Sequence, residues 1–222
     1  MNAAESFPPP SSPSQGVVSA FVIRHVMALG DRMGVGRGPL MDRARVTEAD
    51  MEPADGWVRQ DVLERLLLCS LDHWRDPVVT LRVVLAMEPA MMGVVGYLMQ
   101  CCPTLLDMQL AVTEFGNLVS TLHKPFLIHE PGAALWGVHV DSQEAGFARN
   151  SIEGYLALCA LLIRRQLPEA LLAVRFSHAP VLLDGEIHPL YDKAFGCPVL
   201  FGQPLSALVL RPQSLNRPLP LG

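Results

Sequence analysis

At Lys124-Pro125 the apolar residues change their spacing, and that change constrains the fold more than any other feature of the chain. Ahead of it, Leu105, Met108, Val112, Phe115, Val119 and Leu122 recur at helical steps, which places them on one face of a helix as a continuous seam. Behind it, Phe126 and Ile128, then Ala134, Trp136, Val138 and Val140, recur at every second position, as residues on one face of a strand must. Glu130-Pro131-Gly132 supplies a turn between these two runs, so they read as a hairpin. Helices segregated from a later sheet define the α+β class. The expected layout is a helical part over about 17–122, followed by a mixed, partly antiparallel sheet with packed helices over about 123–220.

The punctuation between apolar runs refines this layout. Val17 to Met33 has helical spacing and runs into Gly34, Gly36 and Gly38. A short helical piece over Leu40 to Val46 precedes an acidic loop, and Asp55 at its end is placed to cap a helix from Gly56 to Trp74. The inner stripe of that helix is Val58, Val62, Leu66 and Cys69. Asp76-Pro77 opens a helix that reaches Met87 before Pro89 stops it, and another covers Met92 to Cys102. Thr104 and Asp107 have capping-box spacing ahead of the seam, and Asn150 with Glu153 forms a variant of that pattern at the head of a later helix. In the later helix Ile152, Tyr155, Leu156, Cys159, Leu162 and Ile163 face inward until Arg164-Arg165. A strand over Leu171 to Phe176, a short helix over Leu190 to Phe195, and strands over Cys197 to Phe201 and Ala207 to Leu210 complete the pattern. Residues 1–16 carry four prolines and little apolar surface, the composition of a flexible leader ahead of one domain over 17–222.

Composition excludes several functions. Half of the 222 residues are hydrophobic and 18% are charged, enough apolar surface for a sizeable core. Seventeen Lys and Arg stand against 22 Asp and Glu, a net charge of −5, so no positive field is available to neutralise nucleic-acid phosphates. The longest apolar runs, Ala90 to Met99 and Tyr155 to Ile163, fall short of the roughly 18 residues of a membrane span. No basic stretch precedes an apolar segment at the start, so the chain reads as cytoplasmic. Five cysteines, odd in number and set mostly in apolar runs, suit buried thiols in a reducing compartment.

Candidate chemistry is sparse. Gly34 to Gly38 follows a helix and lacks the Gly-Lys-Ser/Thr ending that holds a phosphate, so it reads as a turn. Cys69 and His73 share a helix face but have no second pair to complete a metal shell, and Cys101-Cys102 point to different faces. The seven histidines have no catalytic spacing, so neither an enzyme nor a cofactor is expected. The ten methionines, five of them between Met87 and Met108, suit either core filling or an adaptable apolar pocket. The wall residues expected for such a pocket are Met92, Tyr97, Trp136, Tyr155 and Phe176, with Arg149 placed to hold an acidic group.

Three ordered stretches carry a family resemblance. They are Asp76-Pro77 through Gly93-Val94-Val95-Gly96-Tyr97-Leu98 to Pro103-Thr104-Leu105, Val174 to His178, and Tyr191 through Phe195-Gly196-Cys197-Pro198-Val199-Leu200-Phe201-Gly202. With the closing Leu208 to Pro220, the chain resembles the N-terminal effector-binding domain of one branch of the AraC-type transcriptional regulators over about Val17 to Pro220. The resemblance implies a helical and α+β sensor, not a jelly-roll barrel, which binds a small-molecule effector, apolar or amphipathic, and forms a homodimer. It implies DNA contact only through a C-terminal pair of helix-turn-helix units, which is expected to be absent from this chain. A purely structural dimerisation module and a small Cys/His hydrolase are the alternatives.

Overall fold

The computed structural model describes residues 16–32, 34, 36–53, 56–88 and 93–220. The first departure from expectation comes at Val17–Ser19, which is strand β1 and not the first turn of a helix. It pairs antiparallel with β2, Trp57–Arg59, and sets Val18 and Val58 into the core. This ribbon delays the two helices that follow, α1 at Ala20–Arg32 and α4 at Gln60–Trp74, relative to starts at Val17 and Gly56. Asp55, the expected cap, lies outside the described residues, as do Met33, Pro89, Met91, Met92 and residues 1–15 of the expected leader.

Between these helices run α2, Arg37–Ala44, and α3, Glu48–Met51. The acidic stretch read as a loop therefore contains a helical turn, held by a capping box. Thr47 Oγ1 accepts from the Asp50 amide at 3.2 Å, and Asp50 Oδ2 accepts from the Thr47 amide at 2.9 Å. Met51, fully buried, joins Ile23, Met27, Leu40, Val58 and Leu66 in a core of its own.

α5 is Val79–Leu85, α6 is Gly93–Cys101, and α7 is Leu105–Phe115 with Thr104 Oγ1 capping the Asp107 amide at 3.1 Å. The seam is shorter than its spacing suggests: Leu105, Met108 and Val112 are buried, but Phe115 is exposed and the helix ends there. The cause is tertiary, because β1 draws the next residues out of the helix. The Ser19 amide donates to the Val119 carbonyl at 2.7 Å, and the Thr121 amide donates to the Val17 carbonyl at 2.9 Å.

The second part begins with the expected hairpin, β3 at His123–Glu130 and β4 at Ala133–Val140, in register from His123 opposite Val140 to Glu130 opposite Ala133. Gly137 is required at its centre, where a Cβ would run into the Phe126 ring and stand 2.8 Å from the Ser206 carbonyl oxygen. The long helix α8, Ala145–Gln166, is capped by Glu144, whose carboxylate accepts from the Gly146 amide at 3.1 Å. Asn150 and Glu153, expected at its start, instead sit fully buried inside it. After it come β5 at Leu171–Arg175, β6 at Leu182–Leu183, β7 at Glu186–Ile187, α9 at Leu190–Phe195, β8 at Val199–Leu200 and β9 at Ala207–Leu210.

The main sheet has the order β3-β4-β9-β5-β8, antiparallel except for the β5–β8 pair. The fold is therefore α+β, and its sheet does not close into a barrel. Ala134, Trp136 and Val138 of β4 point into the main core with Leu156 and Ala160 of α8, while Ala133 and Leu135 meet Ala207 and Val209 on the opposite face. Both faces of β4 are thus covered, which the alternation of its sequence alone does not reveal.

Candidate functional site

The helices of the two parts do not close on one another completely. A cavity of about 270 Å³ lies where α1 and α4 face α5 and α8, with Val119, Ser120 and His123 at its edge. Each helix contributes a stripe at helical spacing: Val22, Val26 and Gly30 from α1, Leu63, Leu67, Ser70 and Trp74 from α4, and Thr80, Val83 and Val84 from α5. From α8 come Phe147, Asn150, Ser151, Gly154, Tyr155 and Leu158, of which Gly154 lets α5 approach, since a Cβ there would run into Thr80 Cγ2.

The polar atoms in this wall are mostly turned toward one another. Ser70 Oγ donates to the Leu66 carbonyl at 2.7 Å, Thr80 Oγ1 donates to Asn150 Oδ1 at 3.1 Å, and Asn150 Nδ2 donates to the Gly146 carbonyl at 3.0 Å. His123 stacks on Tyr155 with ring centroids 5.2 Å apart, and its Nδ1 lies 3.3 Å from Ser120 Oγ. The ring also hydrogen-bonds the Ser151 backbone, but burial outweighs that contact and pushes its pKa down to about 4, so the imidazole is neutral at physiological pH. Behind Tyr155, the Trp136 indole N–H points at the phenol oxygen at 3.4 Å, and burial pushes the neighbouring Cys159 thiol up to about 12. None of the side chains lining the cavity, among the described residues, is Asp, Glu, Lys or Arg.

The six wall residues expected from the sequence do not converge here. Tyr155 lines the cavity; Trp136 is fully buried behind it. Phe176 is packed among Phe195, Phe201 and Tyr191, with centroids 5.6, 5.7 and 6.1 Å away, because β5 feeds it into the core by α9. Tyr97 is 59% exposed on α6, and Arg149, half-buried on α8, donates to the Pro77 carbonyl at 2.9 Å and does not line the cavity. Met92 lies outside the described residues. The residues that do line the cavity, Val22, Val26, Leu63, Val83 and His123 among them, were indistinguishable in sequence from core positions. A helix stripe facing a void has the same spacing as one facing a partner.

A second buried feature lies across α8 from the cavity. Tyr191 Oη donates to Glu153 Oε1 at 2.6 Å, and His178 Nε2 stands 3.5 Å from the same oxygen, while Glu153 Oε2 has no partner. Burial pushes the Glu153 carboxyl up to about 7 against the opposing pull of Tyr191 and Arg149, and burial lowers the His178 pKa. Cys69 is half-buried and His73 exposed, and among the described residues no three His, Cys, Asp or Glu side chains gather as a metal site.

Comparison with known proteins agrees with this architecture. The crystal structure of the transcriptional regulator CdpR from Pseudomonas aeruginosa superposes with a TM-score of 0.55 at 16% sequence identity, covering 91% of this chain and 58% of that one. At that identity the likeness speaks to the fold, and this chain spans little more than half of the CdpR chain's length. No curated protein sequence matches. The family model described as the arabinose-binding domain of AraC transcription regulators, N-terminal, matches residues 34–219. That match takes in α4, α5 and α8 of the cavity wall but not α1, and the chain belongs to the family of N-terminal arabinose-binding-type domains of AraC transcription regulators.

Proposed function

We propose that this chain is the effector-sensing part of an AraC-type regulator and that the cavity between α1, α4, α5 and α8 is its sensing site. The observation that carries the reading is the cavity itself: four helices from two separate cores present apolar stripes to a space that none of them fills. A molecule bound there favours one arrangement of the two cores, and an effector acts only through such a differential affinity. The population shift is passed to DNA-binding units carried elsewhere in the regulator, in the cytoplasm. Exposed Val94 and Tyr97, one turn apart on α6, support homodimerisation through that side of the helix. The sensing domain comprises residues 17–222.

The test is a thermal-shift screen of the purified chain against fatty acids, alcohols, lactones, amino acids, sugars and nucleotides. A ligand of the native state raises the melting temperature by mass action. The expected result is at least one saturable shift that disappears in a cavity-filling variant such as Leu158→Phe. Silence across the panel overturns the sensing role.

A further inference from the structure

We propose that the cavity selects uncharged molecules: a mostly hydrocarbon compound bearing a single hydroxyl or carbonyl, and neither an acid, an amine nor a sugar. The inference rests on the sensing role given above and names the class of molecule sensed.

Three observations carry it. The first is the missing counter-ion. No lining side chain among the described residues is ionisable as an acid, lysine or arginine, and Arg149, the cation on the same helix, faces away with its guanidinium on the Pro77 carbonyl. A carboxylate or ammonium held here would lose its hydration without a partner, a large penalty in an apolar surrounding. The second is that His123, the one group able to become cationic among the described lining residues, stays neutral. His123 lies against Tyr155 with a hydrogen bond to Ser151 and a contact to Ser120, and is neutral at the pH of a cell. The third is the internal satisfaction of the polar wall. Ser70 and Thr80 spend their hydroxyl donors on protein acceptors, and Asn150 spends one of its two amide N–H groups in the same way. A sugar brings a hydroxyl on nearly every carbon and would leave most of them unpaired against valine and leucine. One polar group can be met where Ser120, His123, Ser151 and Tyr155 cluster, leaving the hydrocarbon for Val22, Val26, Leu63 and Val83. A space of about 270 Å³ lies just under the usual range for drug-sized ligands, which suits a short chain or a single ring.

The experiment titrates n-octanol, octanoate, octylammonium and L-arabinose into the full chain at neutral pH, by thermal shift and by calorimetry. The same titrations are run on Val83→Phe and Val26→Phe, which fill the space from opposite walls, each first shown by circular dichroism to melt cooperatively. The expected result is saturable binding of n-octanol, at least tenfold weaker binding of octanoate and octylammonium, none of L-arabinose, and loss of n-octanol binding in whichever filling variant is folded. Octanoate or octylammonium binding as tightly as n-octanol, with the same loss in a filling variant, overturns the selection of uncharged molecules while leaving a sensing cavity in place. Octanol binding unaffected by both fillings, or no binding of any probe, overturns the inference as well; the sensing role itself is then decided by the wider ligand panel.

Discussion

Replacing Glu153 by Gln should make the protein more stable at neutral pH, and the gain should vanish in acid. In the folded state the carboxyl is enclosed by Tyr191 of α9, His178 after β5, and its own helix, which carries Arg149 one turn earlier. Burial outweighs the help from Tyr191 and Arg149, and the pKa rises from the ordinary 4.5 to about 7. Between those two values the folded protein keeps a proton that the unfolded chain has released, so raising the pH favours unfolding. The stability associated with this group is therefore complete below about pH 4.5, falls as the pH climbs, and levels off above about 7. A rise from 4.5 to about 7 corresponds to about 3 kcal/mol. Gln has the same shape, accepts the Tyr191 hydroxyl through its amide oxygen, and cannot ionise. Urea denaturation followed by circular dichroism at a series of pH values gives the difference between variant and wild type. That difference should grow from near zero in acid to about 3 kcal/mol at neutral pH. A difference that does not change with pH would refute the reasoning, since it would mean that Glu153 titrates alike in both states. His123 runs the other way: with its pKa held down to about 4, the stability it confers is lost as the pH falls from 6.5 toward 4. His178, also lowered, acts in the same sense. Between pH 4.5 and 6.5 the wild-type profile should therefore carry the fall from Glu153 against the rise from the two histidines, and the Gln variant, free of that fall, should rise more steeply with pH than wild type.

Other expectations follow from single contacts. Gly137→Ala should cost at least 2 kcal/mol, at the upper end of about 1–3 for overpacking, because the new methyl meets the Phe126 ring on one side and rigid backbone at Ser206 on the other; a melting temperature within a degree or so of wild type would contradict the hairpin register. Thr104→Ala should cost about 1 kcal/mol by removing the cap on the Asp107 amide, and Thr104→Ser should recover most of it, as read by denaturant midpoint. With iodoacetamide under native conditions, exposed Cys101 should be alkylated well before Cys159, whose thiol burial holds at about 12; mass spectrometry showing Cys159 modified first would place a reactive thiolate where the structure has none and would revive the hydrolase alternative.

Much of the secondary structure was legible in the sequence because its signals are local. Thr104 with Asp107, the Pro-Gly turn at 131–132 and the alternation after Pro125 each depend on a few neighbouring residues, and each element stands close to its expected place. The errors share one cause, which is pairing between residues far apart in the chain. Val17–Ser19 looks helical until Trp57–Arg59 lies beside it, and the seam after Phe115 breaks because the same strand recruits Val119 and Thr121. Asn150 and Glu153 have the spacing of a cap, but Thr80 and Tyr191, which bury and bond them, are 70 and 38 residues away.

The candidate site was the least legible part. Tyr97 and Phe176 are the kind of side chain that lines pockets, yet one stands in solvent and the other is locked into an aromatic cluster. Periodicity shows which face of a helix turns inward and is silent on whether that face meets a side chain or a space. The sequence by itself determined the α+β class, where most of the helices stop, the hairpin and the family, because these follow from spacing, turn residues and ordered motifs along the chain. Only the tertiary structure decided that α1 and α4 stand off from α5 and α8, that the gap contains no ion partner, and that a carboxyl is enclosed beside Tyr191, because a void and its charge are properties of how distant segments pack.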